Sequence, residues 1–431
     1  MNKFVGLLLV AALTLALAGC PSSGKTPTTL TIATPSWIQT KTDVKGAIER
    51  YKQAHPKTNV ELITIDRFEV STAIPEWQAG KTSFDLYISG TGFMLSTVIA
   101  QNWLEPLDDM LKDHMAKDKF VSGFLKEGYF KKPDGKGFFP MIPFLGEVAI
   151  IGVNTEVYKK AGMWKDNKPV GLPSMRESDI IGYLKKLAPF AEQGAHVQIW
   201  DKEFIQYNYV GPILAMTGTF VDASGKGFDV SSDAAKQWAN TLQKLKKEGV
   251  ATYTSTDTAG YDAWKTGKAG TFYAAQGHTM ELVLSAKRPV DAIAFTSWPG
   301  SETNGSIIWT HSVWIPKLSK NKEAARLFIK EEVFSKAFQQ WQFNHYGKLP
   351  VLKEAFGDGI ENYQEYMPLI LAIADNSKSI PMWKDLAPYV EVLKKYLVQA
   401  AMGDMAPEDA LAKIRVEAEQ LDFTDMRAEL K

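Results

Sequence analysis

Cysteine is almost missing from this chain: Cys20 is the only one in 431 residues. A single thiol can close no internal bridge, so the fold must be held by its core alone. Net charge is missing as well, with 49 Lys and Arg against 49 Asp and Glu. That argues against nucleic acid as a partner, which calls for a basic excess or stripe, and against a partner chosen by bulk charge. The six histidines are scattered and there is no cysteine pair, so neither a metal centre nor a cofactor is expected. Beyond residue 20 no apolar run approaches the roughly 20 residues that span a bilayer. Catalytic signatures are absent too. There is no Gly-x-Ser-x-Gly, and His278-Thr279-Met280-Glu281 is not the His-Glu-x-x-His of a zinc helix. Pro75 stands where a P-loop ending in Gly80-Lys81-Thr82 needs its first glycine. Asp222 to Gly227 lacks the full oxygen set of a calcium loop and reads as a hairpin turn.

What is present begins at the N-terminus. Lys3, an apolar or small run from Phe4 to Ala18, and small residues before Cys20 read as an export signal over residues 1–19. Leu17-Ala18-Gly19-Cys20 resembles a bacterial lipobox, which implies that the Cys20 thiol carries lipid and becomes the mature N-terminus. Each acyl methylene buried in a bilayer contributes about 0.8 kcal/mol, so two chains anchor stably. The polar, breaker-rich residues 20–29 then form a flexible leash. The expected location is the cell envelope, outside the cytoplasm.

The remaining body of about 400 residues is too long for one core and should divide into two domains. Leu30 to Ala33 alternates as a strand and Thr42 to His55 has helical spacing, stopped by Pro56. A second strand follows over Asn59 to Ile65, helix over Ala73 to Gly80, a third strand over Phe84 to Ser89, and helix again over Phe93 to Gln101. This alternation predicts an α/β fold with parallel strands. Twelve tryptophans and fifteen tyrosines in a neutral chain suggest a flat, uncharged, amphipathic ligand.

Several segments, in order, carry a family resemblance. Trp103-Leu104-Glu105-Pro106-Leu107-Asp108 is one. Gly137 to Phe144 followed by Asn154-Thr155-Glu156-Val157-Tyr158-Lys159-Lys160-Ala161-Gly162 is another. Trp264 to Gly270, Ile315-Pro316-Lys317 with Lys322 to Ile329, and Gly403 to Leu411 complete the set. Together they resemble the bacterial extracellular solute-binding proteins, the sugar-type receptors of ABC importers. Gly152-Val153 stands where the family usually has tyrosine before the asparagine, and Pro173-Ser174-Met175-Arg176-Glu177 replaces its Pro-x-Thr-Trp-Asp-Glu. These departures bear on subfamily and ligand more than on fold.

The resemblance implies two α/β lobes of the type II periplasmic-binding-protein kind, each with a mainly parallel sheet flanked by helices. Hinge crossovers would lie near 147–151, 307–310 and 346–350. Lobe 1 is expected over 30–148 plus 310–347, and lobe 2 over 149–309 plus 348–431. It also implies capture of a carbohydrate in the interlobe cleft without enzymatic change, hinge closure, delivery to permease subunits, and a monomer. Sugars need an aromatic ring against a face and carboxylates, amides or basic groups around the hydroxyl rim, with stacking worth at most about 1–3 kcal/mol.

Candidates are therefore aromatics and polar groups at strand ends and loops. Trp37 follows the first strand. Gly90, Thr91 and Gly92 would let backbone amides reach a ligand. Glu147, Trp309 and His311 flank expected hinges. Trp200 follows a polar stretch. Tyr273, Gln276 and His278 sit where a strand end should meet the ligand, and Trp383 lies in a C-terminal loop. For each, a structural role is the rival reading: core packing for the aromatics, a salt bridge for Glu147, a plain turn for the glycines. Trp238, Trp264, Trp314 and Trp341 lie in periodic runs and are expected in the core. Two other functions stay open. A cationic or other non-sugar solute such as a polyamine or nucleoside would suit a carboxylate in an aromatic box. An exported glycoside hydrolase would need only two carboxylates brought together in space.

Overall fold

The computed structural model describes residues 28–66, 69–90, 95–132, 134–201 and 204–430. Cys20, the export signal, most of the leash, and Thr91 and Gly92 lie outside the described residues.

Alternation builds the first strands. Strand β1 (Thr28–Thr34) buries Leu30 and Ile32. It pairs in parallel with β2 (Thr58–Thr64) and β3 (Leu86–Gly90). Helix α1 (Ser36–Lys41) follows β1 directly, so Trp37 sits on a helix and not in a loop. Helix α2 (Val44–Ala54) buries Val44, Ala47, Ile48 and Tyr51, one face at helical spacing.

Strand β4 (Ile142–Asn154) is the spine of the molecule, and all thirteen of its residues are buried. Its run, apolar or small from Ile142 to Val153 but for Glu147, suits a strand covered on both faces. Its second half carries β7 (Thr271–Ala275) on one edge, with β5 (His196–Ile199) and β6 (Ala251–Thr254) beyond it, and β8 (Ile293–Thr296) on the opposite edge. Its first half carries β9 (Ile308–Trp314) on one edge and the short β10 (Leu349–Pro350) on the opposite edge. The sheet order is β6-β5-β7-β4-β9-β3-β1-β2, with β8 and β10 also on β4. The first half of β4 pairs with β9, from Ile142 opposite Val313 to Val148 opposite Ile308. The second half pairs with β7 and β8, from Ala149 onward. The exchange of partners falls at Val148–Ala149. Ile307 lies at the same level, its carbonyl accepting from Ala149 N.

The sheet thus has two halves, called lobe 1 (β2-β1-β3-β9) and lobe 2 (β6-β5-β7, with β8 across β4 from β7). Helices α3 (Ser122–Lys126), α4 (Glu177–Leu187), α5 (Asp233–Lys247), α6 (Asp257–Lys265), α7 (Gln276–Ser285), α8 (Lys336–Tyr346) and α9 (Met367–Asn376) cover the sheet. Helices α10 (Leu386–Met402) and α11 (Pro407–Ala418) pack with α5 on lobe 2. Leu349 and Pro350 lie on Leu145 and Gly146 in the lobe 1 half of β4, and Leu352 bridges Phe120. The rings of Tyr363 and Tyr366 then meet Phe295 of β8. The C-terminal segment reaches back to β3 and β9: Met382 is buried with Tyr87 and Trp314, and Arg427 pairs with Glu127 at 2.9 Å.

Trp238, Trp264 and Trp314 are buried. Trp341 departs from expectation. It is half-buried and stacks on His345 with centroids 4.2 Å apart, because the i,i+4 neighbour on α8 covers its face. Among the described residues no helix is long and apolar enough to cross a membrane.

Candidate functional site

Directly opposed residues of an antiparallel pair point to the same face. Glu147 opposes Trp309 and Leu145 opposes His311, so one face of the crossover carries Glu147, Trp309 and His311. Lys348, just before β10, reaches the same place: its Nζ donates to Glu147 Oε1. His311 Nε2 lies 3.8 Å from Glu147 Oε2. The side chains of Glu147, Lys348 and His311 are at most 5% exposed, so the cluster is a buried one. Burial alone would push the Glu147 carboxyl up. Lys348, His278 and His311 outweigh it and hold the group well below the usual carboxylate range.

Two walls rise from this floor. On the lobe 1 side, Trp37 meets the His311 ring edge-on at 4.9 Å, and Ser89 Oγ lies 3.4 Å from His311 Nδ1. On the lobe 2 side, α7 begins at the end of β7. Gly277 is its second residue, and a Cβ there would overlap Glu147 Oε1 and meet Lys348 Cδ at 3.0 Å. His278 packs between Phe204 and Tyr261, each 5.8 Å away between centroids. Tyr207 approaches Trp309 at 5.9 Å. Lys41 at the end of α1 pairs with Glu281 on α7, so a charge pair joins the two walls.

The structure therefore brings together Trp37, Glu147, His278, Trp309 and His311. Gln276 adjoins them, with both ends of its amide engaged: Oε1 accepts from Val148 N at 2.6 Å and Nε2 donates to the Gly347 carbonyl at 2.9 Å. The other candidates stand apart. Gly90 packs against Leu95 and Trp314, where a Cβ would clash. Trp200 is buried and stacked on Tyr253 at 6.1 Å. Tyr273 is buried, with its hydroxyl 2.9 Å from Ser306 Oγ. Trp383 sits in an aromatic cluster with Phe228 and Phe423, both 5.1 Å away. Lys348, Ser89, Lys41 and Glu281 carry no motif. Lys348 is the one with a sequence signal, since it lies in Gly347-Lys348-Leu349-Pro350, within a segment expected near the hinge.

The chain matches the family described as bacterial extracellular solute-binding protein over residues 35–331. It belongs to that family. Solved structures agree on the two-lobed fold at low identity. The GacH receptor of Streptomyces glaucescens, solved unliganded and with acarbose, aligns with a TM-score of 0.74 at 16% identity, covering 93% of this chain and 100% of that one. T. maritima MalE3 with maltose bound aligns at 0.72 and 18%, covering 91% and 99%. UgpB of Mycobacterium tuberculosis, in complex with glycerophosphocholine, aligns at 0.71 and 16%, covering 92% and 98%. Members of this family are binding proteins, placed outside the cytoplasm.

Proposed function

We propose that this solute-binding protein is the receptor of an ABC importer, and that it captures a neutral carbohydrate between its lobes, an oligosaccharide in preference to a single ring. The lobe boundaries would lie at the β4 passage and at Ile307–Ile308. Lipid on Cys20 would moor the protein to a membrane, and the solute would leave unaltered for the permease. The observation that carries the reading is the composition of the crossover face. The aromatic rings of Trp37 and Trp309 flank a hydrogen-bonding cluster whose carboxylate is already matched by Lys348. Rings offer sugar faces a surface, and the polar groups offer hydroxyls partners. A ligand touching both walls binds the closed form better and so draws the lobes together. GacH and MalE3, structures of this fold, hold acarbose and maltose.

The test is titration of the purified chain with a panel of neutral oligosaccharides, read by tryptophan emission, followed by analysis of the recovered sugar. Saturable binding with the sugar returned intact is expected. New reducing ends would make the protein a hydrolase, and a response to polyamines or nucleosides alone would replace the ligand class.

A further inference from the structure

Glu147 has two features that pull in opposite directions. A carboxylate opposite Trp309, in a cluster that Trp37 joins through His311 and Tyr207 through Trp309, is the kind of arrangement that attracts cations. Yet Lys348 is aimed at it from a third segment, β10, which pairs with Gly146 and Leu145 beside it. Both side chains are only 4% exposed. The charged and titratable groups around the carboxylate are Lys348 before β10, His311 on β9 and His278 on α7. Gly277, also on α7, lets the helix start close against the pair, which any larger residue would disturb.

We propose that Lys348 is a specificity-determining residue: by matching Glu147 charge for charge it makes the crossover face electrically neutral, which excludes cationic solutes and leaves the face open to uncharged hydroxylated ones. The inference rests on the carbohydrate reading above and adds the reason for it. Buried partners in close contact cancel each other's field at short range, whereas either one alone would project it into a water-poor cleft. Lys348 is a positioning residue in the same act. Its ammonium and the Gln276 amide fix the β10 turn against β4, and so fix Glu147 beneath α7.

The experiment compares the full chain with Lys348→Gln, Glu147→Gln and the double variant. The probes are cellotriose and the β-1,4 glucosamine trimer, which share one skeleton, in mildly acidic buffer where the amines are protonated. Lys348→Gln should shift the affinity ratio toward the glucosamine trimer by tenfold or more. Glu147→Gln should shift it the other way, and the double variant should return to the parent ratio. Each single variant should melt well below the double variant, because each leaves one buried charge unmatched. If Lys348→Gln does not fold, the ratio is read on Glu147→Gln against the double variant. A ratio unchanged by the single substitutions, a parent protein that prefers the amine trimer, or melting losses that simply add would each overturn the proposal. Failure of the sugar reading is separate: the parent chain would bind no neutral sugar of the panel, while the response of Lys348→Gln to the amine trimer would still be read.

Discussion

Gly277→Ala puts two effects in opposition. Gly277 is the second residue of α7 and has an ordinary helical backbone, so propensity alone favours alanine by about 0.5–1 kcal/mol. The site opposes it. The new methyl would overlap Glu147 Oε1 and press on Lys348 Cδ at 3.0 Å, and neither can retreat, since both are buried in one ion pair. Overpacking of this kind costs about 1–3 kcal/mol. Prising a buried pair apart adds to that, up to about 3–5 kcal/mol. At mid-range values overpacking exceeds the propensity gain by about 1 kcal/mol, and any strain on the pair adds to that loss. Gly182→Ala is the matched control. Gly182 lies inside α4, and its added Cβ meets nothing within 4 Å, so the variant should gain about 0.5–1 kcal/mol. Urea unfolding followed by tryptophan emission reads both. A Gly277→Ala protein as stable as the parent, beside a stabilised Gly182→Ala, would refute the tight junction between α7 and the Glu147–Lys348 pair.

Four further substitutions have outcomes that can be measured. Trp37→Ala should weaken sugar binding tenfold or more, about 1.4 kcal/mol per decade. Trp383→Ala should instead cost about 3–5 kcal/mol of stability by emptying its aromatic cluster; calorimetric binding beside thermal melting separates the two. Burial lowers the pKa of His196 from 6.5 to about 4. The unfolded chain therefore takes up the proton first as the pH falls, and this group's contribution, about 3 kcal/mol, is present above pH 6.5 and lost on the way down to about pH 4. His196→Asn should flatten that part of the stability profile, and an unchanged acid slope would contradict the assignment. Arg427→Met should cost about 3–5 kcal/mol at neutral pH, since it strands the buried Glu127. Burial already raises the Glu127 pKa against the pull of Arg427. Loss of the arginine raises it further, so the penalty should grow as the pH rises above the ordinary 4.5 and shrink in acid. Equal losses at both ends would count against it.

Much of the architecture was legible in the residues. The strands over 30–33, 59–65 and 84–89 and the helix over 42–55 appear as β1, β2, β3 and α2 within a few residues. Their signals are local: alternation, helical spacing and a proline stop. Trp37 was misplaced into a loop because α1 is one short turn-and-a-half with no capping side chain to announce it. The candidate cluster on the crossover was partly legible. Glu147, Trp309 and His311 could be found because they flank a strand crossover. Trp200, Tyr273 and Trp383 look the same in sequence as cleft aromatics. What separates them is which side of a strand or helix faces the core, and only the packing of Tyr253, Ser306 and Phe423 against them decides that. Lys348 stood in a segment expected near a hinge, but its pairing was not legible, because the partner lies 201 positions away.

The most direct measurement is the crystal structure of the protein with the tightest neutral oligosaccharide of the panel. The account predicts an intact sugar between the lobes, one ring against Trp37 or Trp309, with the Glu147–Lys348 pair unbroken beneath it. A ligand bound elsewhere, a cleaved sugar, or a cation seated on Glu147 with Lys348 displaced would contradict it.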